Sequence, residues 1–341
     1  MTTQAERGRL GPQPLLPALA FAFVAWVALA PAGAAAQARA GVARVGVLSY
    51  FAPPSAAHPD PTAAVVERTL NELGYVEGRN ILVERRYADG RPERLAAMAE
   101  ELVRLKVEVI LAGGQPSREA ARKATSTIPI VVVAGSDPVR EGWAQSLARP
   151  GGNVTGFTFT FPELGPKRLE LLKEALPAVS RVALIIDPVE VVDFAEVLRE
   201  TEAGARALGV QVQVLKVTGA DGLPAAFEAA RRGGAQALHP IAMWPHRDRV
   251  AALAASAALP TVGESSEEVQ AGYLLGYGAD LNDLVRRSLL LMDKILKGAR
   301  PADLPIERPT KFRLSVNLKT AHALGIALPQ SLLQRADEVI Q

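Results

Sequence analysis

Short apolar runs that do not alternate recur along this chain, and each hands over to a segment with helical periodicity. Residues 42–50 form the first run, which ends in polar Ser49 and Tyr50. A loop rich in proline follows (Pro53, Pro54, Pro59 and Pro61), then residues 62–74 place Ala63, Val66 and Leu70 on one helical face and stop at Gly74. Residues 81–87 alternate enough for an edge-side strand, and residues 91–105 read as an amphipathic helix. A buried strand at 107–112 runs into Gly113-Gly-Gln-Pro-Ser117, a helix spans 117–125, and Pro129 punctuates entry to a buried strand at 130–134. The order β-α-β-α-β-α-β predicts a parallel sheet with crossover helices.

After the Pro150-Gly-Gly-Asn153 turn the pattern restarts. Helices are expected at 164–176, 192–208, 223–232 and 247–257, with strands at 181–186, 211–217, 235–238 and 260–263 between and after them. Residues 272–280 read as a strand entering a turn, and 281–297 as a long helix closed by Gly298. A proline-rich stretch (300–309), a strand (311–317), a helix (318–324) and a short helical tail (329–340) complete the chain. The fold class expected is α/β, with two similar lobes whose facing strand ends enclose a cleft that closes by hinge motion.

The chain of 341 residues is long enough for two domains, each with its own core. It has no cysteine, which excludes disulfides and thiolate metal sites. Arg7 and Arg9 precede an apolar run at 15–30 and a small-residue stretch around Ala34-Ala-Ala36 and Ala36-Gln-Ala38, the pattern of a cleaved secretory signal over residues 1–38. At 16 residues the run is shorter than the roughly 20 a spanning helix needs. Lys and Arg number 38 against 36 acidic residues, so the net charge of +2 offers no electrostatic footprint for nucleic acid.

Several stretches resemble the periplasmic substrate-binding proteins of ABC transporters, in the branch that includes tryptophan- and tyrosine-uptake proteins. They are Leu73-Gly-Tyr-Val-Glu-Gly-Arg-Asn80, Ile128-Pro-Ile-Val131, Ser136-Asp-Pro138, Leu147-Ala-Arg-Pro-Gly-Gly-Asn-Val-Thr-Gly156 and Lys294-Ile-Leu-Lys-Gly-Ala-Arg-Pro-Ala-Asp-Leu-Pro305. Asn317-Leu-Lys-Thr-Ala321 and Ala336-Asp-Glu338 fit as well, so the similarity spans roughly residues 42–341. The resemblance implies a type I binding-protein fold: two Rossmann-like lobes with parallel sheets, joined by three crossover strands near 155–161, 276–280 and 304–310. Lobe 1 is expected over 42–155 plus 281–303, and lobe 2 over 156–276 plus 310–341. It further implies a small-molecule solute, an amino acid among the candidates, and an ABC permease as partner. The expected location is the periplasm and the expected state a monomer. An extracytoplasmic sensor for a membrane signalling partner is the alternative.

Candidate ligand-binding residues sit at strand ends. Ser49 and Tyr50 close the first strand, and Gly114 and Gln115 open a helix whose free N–H groups can receive a carboxylate. Ser136 and Asp137 follow the strand at 130–134, where Asp137 can pair with a cationic group or cap a helix. In the second lobe Asp187, His239, Trp244 and Glu264 occupy the analogous places, and Trp244 can stack on a planar ligand or close the core edge. Where many relatives carry an asparagine-rich loop, this chain has Asp187-Pro-Val-Glu190. Tyr277 and Asp280 sit at the second crossover. Tyr50, Phe51, Trp244, Tyr273 and Tyr277 are the possible stacking groups in a chain with only 5% aromatics.

Catalysis is not expected. There is no Gly-x-Gly-x-x-Gly after the first strand, no phosphate-binding Walker loop and no Gly-x-Ser-x-Gly elbow. His58, His239, His246 and His322 lack a His-Glu-x-x-His spacing, so neither a metal nor a cofactor is expected.

Overall fold

Consecutive residues of the central strands are apolar because each strand is covered on both faces. In β1 (Ala43–Ser49), Val45 joins one core cluster and Leu48 another; in β3 (Val109–Gly113), Val109 and Ile110 divide the same way. The computed structural model describes residues 41–55, 60–133, 138–158, 164–188, 191 and 194–341. The expected signal segment (1–38) and the candidates Ser136 and Asp137 lie outside the described residues.

Six strands form the first sheet, with β2 (Ile81–Tyr87) at one edge, beside β1. Next to β3 run β4 (Ile130–Val132) and β5 (Val154–Phe157), and β11 (Ile306–Glu307) closes the other edge. All its pairs are parallel. Helices α2 (Leu95–Arg104) and α3 (Gln115–Ala124) pack on one face, where Leu95, Leu102 and Ala121 meet Leu48, Ile110 and Ile130. On the other face α1 (Ala63–Glu72) and α9 (Leu281–Leu296) bring Leu70, Leu284 and Met292 onto Val45, Val109 and Val131.

The second group of strands begins with β6 (Arg181–Ile186), flanked in parallel by β7 (Gln211–Lys216) and β8 (Ala237–Ile241). A bridge from Leu238 to Thr261 links it to β9 (Val262–Gly263), β10 (Leu275–Ala279), β12 (Phe312–Asn317) and β13 (Glu338–Ile340). Around these strands lie α4 (Leu164–Ala175), α5 (Phe194–Ala207), α6 (Leu223–Arg232), α7 (Arg247–Ser256) and α8 (Ser266–Ala271), with α10 (Leu318–Ala323) and α11 (Gln330–Arg335) near the end of the chain. The chain passes between the two groups after β5, after β10 and between β11 and β12.

Three local expectations are corrected. The sheets are not wholly parallel: β10 pairs antiparallel with β12. The reason is connectivity, because β10 leaves the second group toward α9 and β12 re-enters it from β11, so the two run opposite ways. The tail is not only helical. After α11, residues Glu338–Ile340 pair with Ser315–Asn317 of β12, where a backbone edge was available. Finally, α8 falls where no helix was expected. Its start is written in Ser265-Ser-Glu-Glu268: the Ser265 hydroxyl accepts from the Glu268 amide, and the Glu268 carboxylate accepts from the Ser265 amide at 3.1 Å.

Candidate functional site

The carboxyl ends of β1 and β3 supply one wall. Tyr50 N donates to the Gly113 carbonyl at 3.2 Å, continuing the strand pairing one residue further, and Phe51 N donates to Ser49 Oγ at 3.2 Å. That turn buries Ser49 and Tyr50 and leaves Phe51 half-buried beside Tyr50, ring centroids 5.8 Å apart. Gly114, at φ +87°, lies under this pair. A Cβ there would meet Tyr50 Cβ at 3.4 Å and the Phe51 ring at 3.6 Å, so a glycine suits both the backbone and the packing. Gln115 is the first residue of α3. Two residues on, Ser117 Oγ is fully buried without a hydrogen-bond partner.

The facing wall comes from the ends of β6 and β8. Asp187 follows β6 and is buried beside His246, whose imidazole is held below its ordinary value by burial while the Asp187 carboxylate pulls the other way. After β8 the backbone turns at Ala242, which has φ +57°, and delivers Met243 into the core and Trp244 to the surface of the wall. Arg247 lies over the indole at 4.4 Å and donates to the Trp244 carbonyl at 3.2 Å. Trp244 meets Phe51 edge-on, centroids 4.7 Å apart at 61°. This contact joins the end of β1 in the first sheet to the end of β8 in the second group. At the rim, Arg140 Nη1 and Glu196 Oε2 form an exposed ion pair at 3.1 Å between the segment after β4 and the first turn of α5. Exposed pairs of this kind contribute at most about 1 kcal/mol.

Ser49, Tyr50, Gly114 and Trp244 therefore gather around Phe51, with Gln115 following Gly114 in the chain and Asp187 and His246 near Trp244. The remaining second-wall candidates sit elsewhere. His239 is inside β8 and not beyond its end, because the strand runs on to Ile241, and it has no exposed surface. Its Nδ1–H donates to the Val262 carbonyl at 3.2 Å, and Nε2 has no partner. Tyr273, counted among possible stacking groups, is wholly within the core. Tyr277 stacks on Phe312 at 6.1 Å in the second crossover. Asp280 caps α9 by accepting from Asp283 N at 3.1 Å, and lines a polar depression with Ser266, Asn282 and Arg313. Glu264 uses both carboxylate oxygens within its own lobe: Oε1 accepts from Arg168 Nη1 at 2.9 Å and Oε2 from Ala242 N at 2.7 Å.

Two buried groups give the fold a pH signature. Burial first, and the Arg168 charge second, push His239 down to about 3. Its contribution is therefore complete above the ordinary histidine value of 6.5 and is lost as pH falls toward 3, at about 1.4 kcal/mol per unit across that window. Glu268 behaves oppositely: burial, then the neighbouring Glu264 carboxylate, push it up to about 8, so its contribution falls as pH rises from about 4.5 to about 8. His239→Asn keeps an N–H donor near the Nδ1 position but cannot titrate. It is expected to flatten the stability–pH curve below pH 6.5, and Glu268→Gln to flatten it above. Urea unfolding midpoints from pH 4 to 9 check both, and unchanged slopes in the variants would refute the assignment.

Phe51 is the site residue that strand-end reasoning undervalued, since it was counted only as a possible stacking group. Its signal is its place: the second of two aromatics directly after a buried strand, in a chain poor in aromatics. Arg168 and Arg247 gave no comparable signal, because a single arginine on an amphipathic helix reads as a solvated face.

Residues 56–340 match the family model described as ABC transporter substrate binding protein. A tyrosine-binding protein of Clostridioides difficile (strain R20291) is 36% identical over 124 residues; the match spans 36% of this chain and only 35% of that protein. Among solved structures, a conserved domain protein from Vibrio cholerae O1 biovar El Tor is 25% identical with a TM-score of 0.77, covering 87% of this chain and 99% of that one. An ABC domain in complex with L-Trp from Streptococcus pneumonia gives the same TM-score and coverage at 24% identity.

Proposed function

This chain belongs to the ABC transporter substrate-binding protein family, and we propose that it captures an aromatic amino acid between its lobes and delivers it to an ABC permease. The observation that carries this reading is the edge-on contact of Phe51 with Trp244, which puts two aromatic rings where opposed strand ends meet. In an α/β lobe the carboxyl ends of parallel strands are where ligands bind. A planar side chain entering between these rings parts them and exchanges one aromatic contact for two, so that it is held from both strand ends at once. The tyrosine-binding name of one relative and the L-Trp held by a structural neighbour support the same solute class.

The proposal includes the parts that act on the solute. Ser49, Tyr50, Gly114, Gln115 and Trp244 line the cleft with Phe51, the start of α3 receives the carboxylate, and Asp137 with Ser136 receives the ammonium group. Asp187 closes the far side. The lobes divide as 42–155 plus 281–303 against 156–276 plus 310–341, and the protein works as a monomer outside the cytoplasmic membrane after losing residues 1–38. It binds and releases its solute unchanged.

A thermal-shift screen of amino acids, small carboxylates, nucleosides and sugars tests this. Tryptophan, tyrosine or phenylalanine at about 100 times its dissociation constant is expected to add about 2.7 kcal/mol of stability. A response to sugars or nucleosides alone would keep a receptor and reject the aromatic solute. No response to any member of the panel would reject the proposal.

A further inference from the structure

Glu264 is fully committed although it is only partly buried. Its two oxygens face different elements: Arg168 on α4 and the backbone of Ala242 just after β8. Ala242 is not a glycine, yet it holds φ +57°, a conformation an alanine keeps only where its surroundings impose it. Two residues later comes Trp244. Glu264 is itself held, because its amide donates to the buried Glu268 carboxylate at the start of α8. Arg168, also buried, donates from Nε to the Tyr277 carbonyl in β10 at 2.8 Å. At the next residue, Gly278, the backbone runs so close to the Glu264 carbonyl that a Cβ there would lie 1.8 Å from it. One chain of charge-assisted hydrogen bonds thus runs from the crossover strand β10, through Arg168 and Glu264, to the turn that aims Trp244 at Phe51.

We propose that Glu264 is a positioning residue of the solute site: it touches no solute, but holds the Ala242 turn so that Trp244 faces Phe51, and through Arg168 ties that turn to the crossover strand β10. The proposal rests on the solute-binding function above only for its consequence for affinity. The hold on Trp244 exists without solute. It also explains why a carboxylate at the end of β9 is worth keeping half-exposed: a neutral side chain there can accept from Ala242 N or from Arg168, but a glutamine amide donates to neither.

The test uses the protein without residues 1–38, labelled with 5-fluorotryptophan. Of the three tryptophans in the sequence, Trp26 belongs to that segment, so two fluorine resonances are expected, and the one lost in Trp244→Phe belongs to Trp244. In the absence of solute, Glu264→Gln is expected to shift or split the Trp244 resonance and leave that of Trp143 in place, and Arg168→Gln to do the same. With tryptophan as the probe, each is expected to raise Kd about tenfold, and the double variant to be no worse than the poorer single one. An unmoved Trp244 resonance together with a raised Kd would make Glu264 a direct solute contact and overturn the proposal. So would an unmoved resonance with an unchanged Kd. Should Glu264→Gln fail to fold, Glu264→Asp keeps the charge but shortens the reach to Ala242 N, and its Trp244 resonance must move in the same selective way. If tryptophan does not bind the wild-type chain, the solute assignment fails while the fluorine result still decides the role of Glu264.

Discussion

Gly156→Ala is expected to lower the unfolding free energy by about 3 kcal/mol or more. Two independent costs meet at this position. Gly156 has φ +127°, outside the range an alanine adopts without strain, and a Cβ there would stand 2.1 Å from the Val132 carbonyl oxygen and 2.6 Å from its nitrogen. Both obstructing atoms are backbone, in the register pair Val132↔Gly156 between β4 and β5, so no rotamer change relieves the overlap. The sheet would have to part at the strand that begins the first crossover. Gly209→Ala separates the two costs. Gly209 has φ +66° with open space around its missing side chain, so the substitution pays only backbone strain, about 1 kcal/mol. Urea unfolding of the three proteins measures the difference, and a Gly156→Ala variant no less stable than Gly209→Ala would refute the account.

Trp244→Ala is expected to weaken binding of an aromatic amino acid by roughly 30- to 1,000-fold, the 2–4 kcal/mol of an aromatic anchor at the centre of a desolvated site. Half-exposed and outside the main cores, Trp244 should cost much less in stability than in affinity, because removing it leaves Met243 and the α7 packing in place. Phe51→Ala removes the partner ring and should cost a comparable factor. Because the two rings touch, the losses should not add: the double variant is expected to bind about as weakly as the poorer single one. Calorimetric titration with tryptophan decides. A Kd within threefold of wild type for Trp244→Ala would move the solute away from this pair, and strict additivity would mean that the two rings act on it separately.

The central strands were legible in the sequence because a strand covered on both faces has no choice of pattern. Val45 and Leu48, or Val109 and Ile110, must all be apolar whatever their partners are. Strand ends, too, can be read from the polar residues that follow each run, as Ser49 and Tyr50 mark the end of β1 and Gly114 follows β3. The same logic failed at His239. A histidine after an apolar run looks like the first ligand-facing residue, but β8 continues through Pro240 to Ile241, and burial keeps the imidazole neutral and inside the core. Local chemistry could not reveal this, since the length of β8 is set by its pairing with β6 up to Ile186↔Ile241.

What the sequence determined alone is the alternation of strand and helix, the two-lobed α/β plan and the places where strands give way to polar groups, all consequences of short-range periodicity and of glycine and proline placement. What only the tertiary structure decided is which groups from distant segments meet. Phe51 and Trp244 are 193 positions apart (244 − 51) and touch because two separate sheets end face to face. The position of Glu264 along the chain places it at a strand end, where a solute contact is expected. Its actual partners, Arg168 and Ala242, lie on other elements, and a carboxylate goes to the nearest desolvated donors, wherever in the chain they originate.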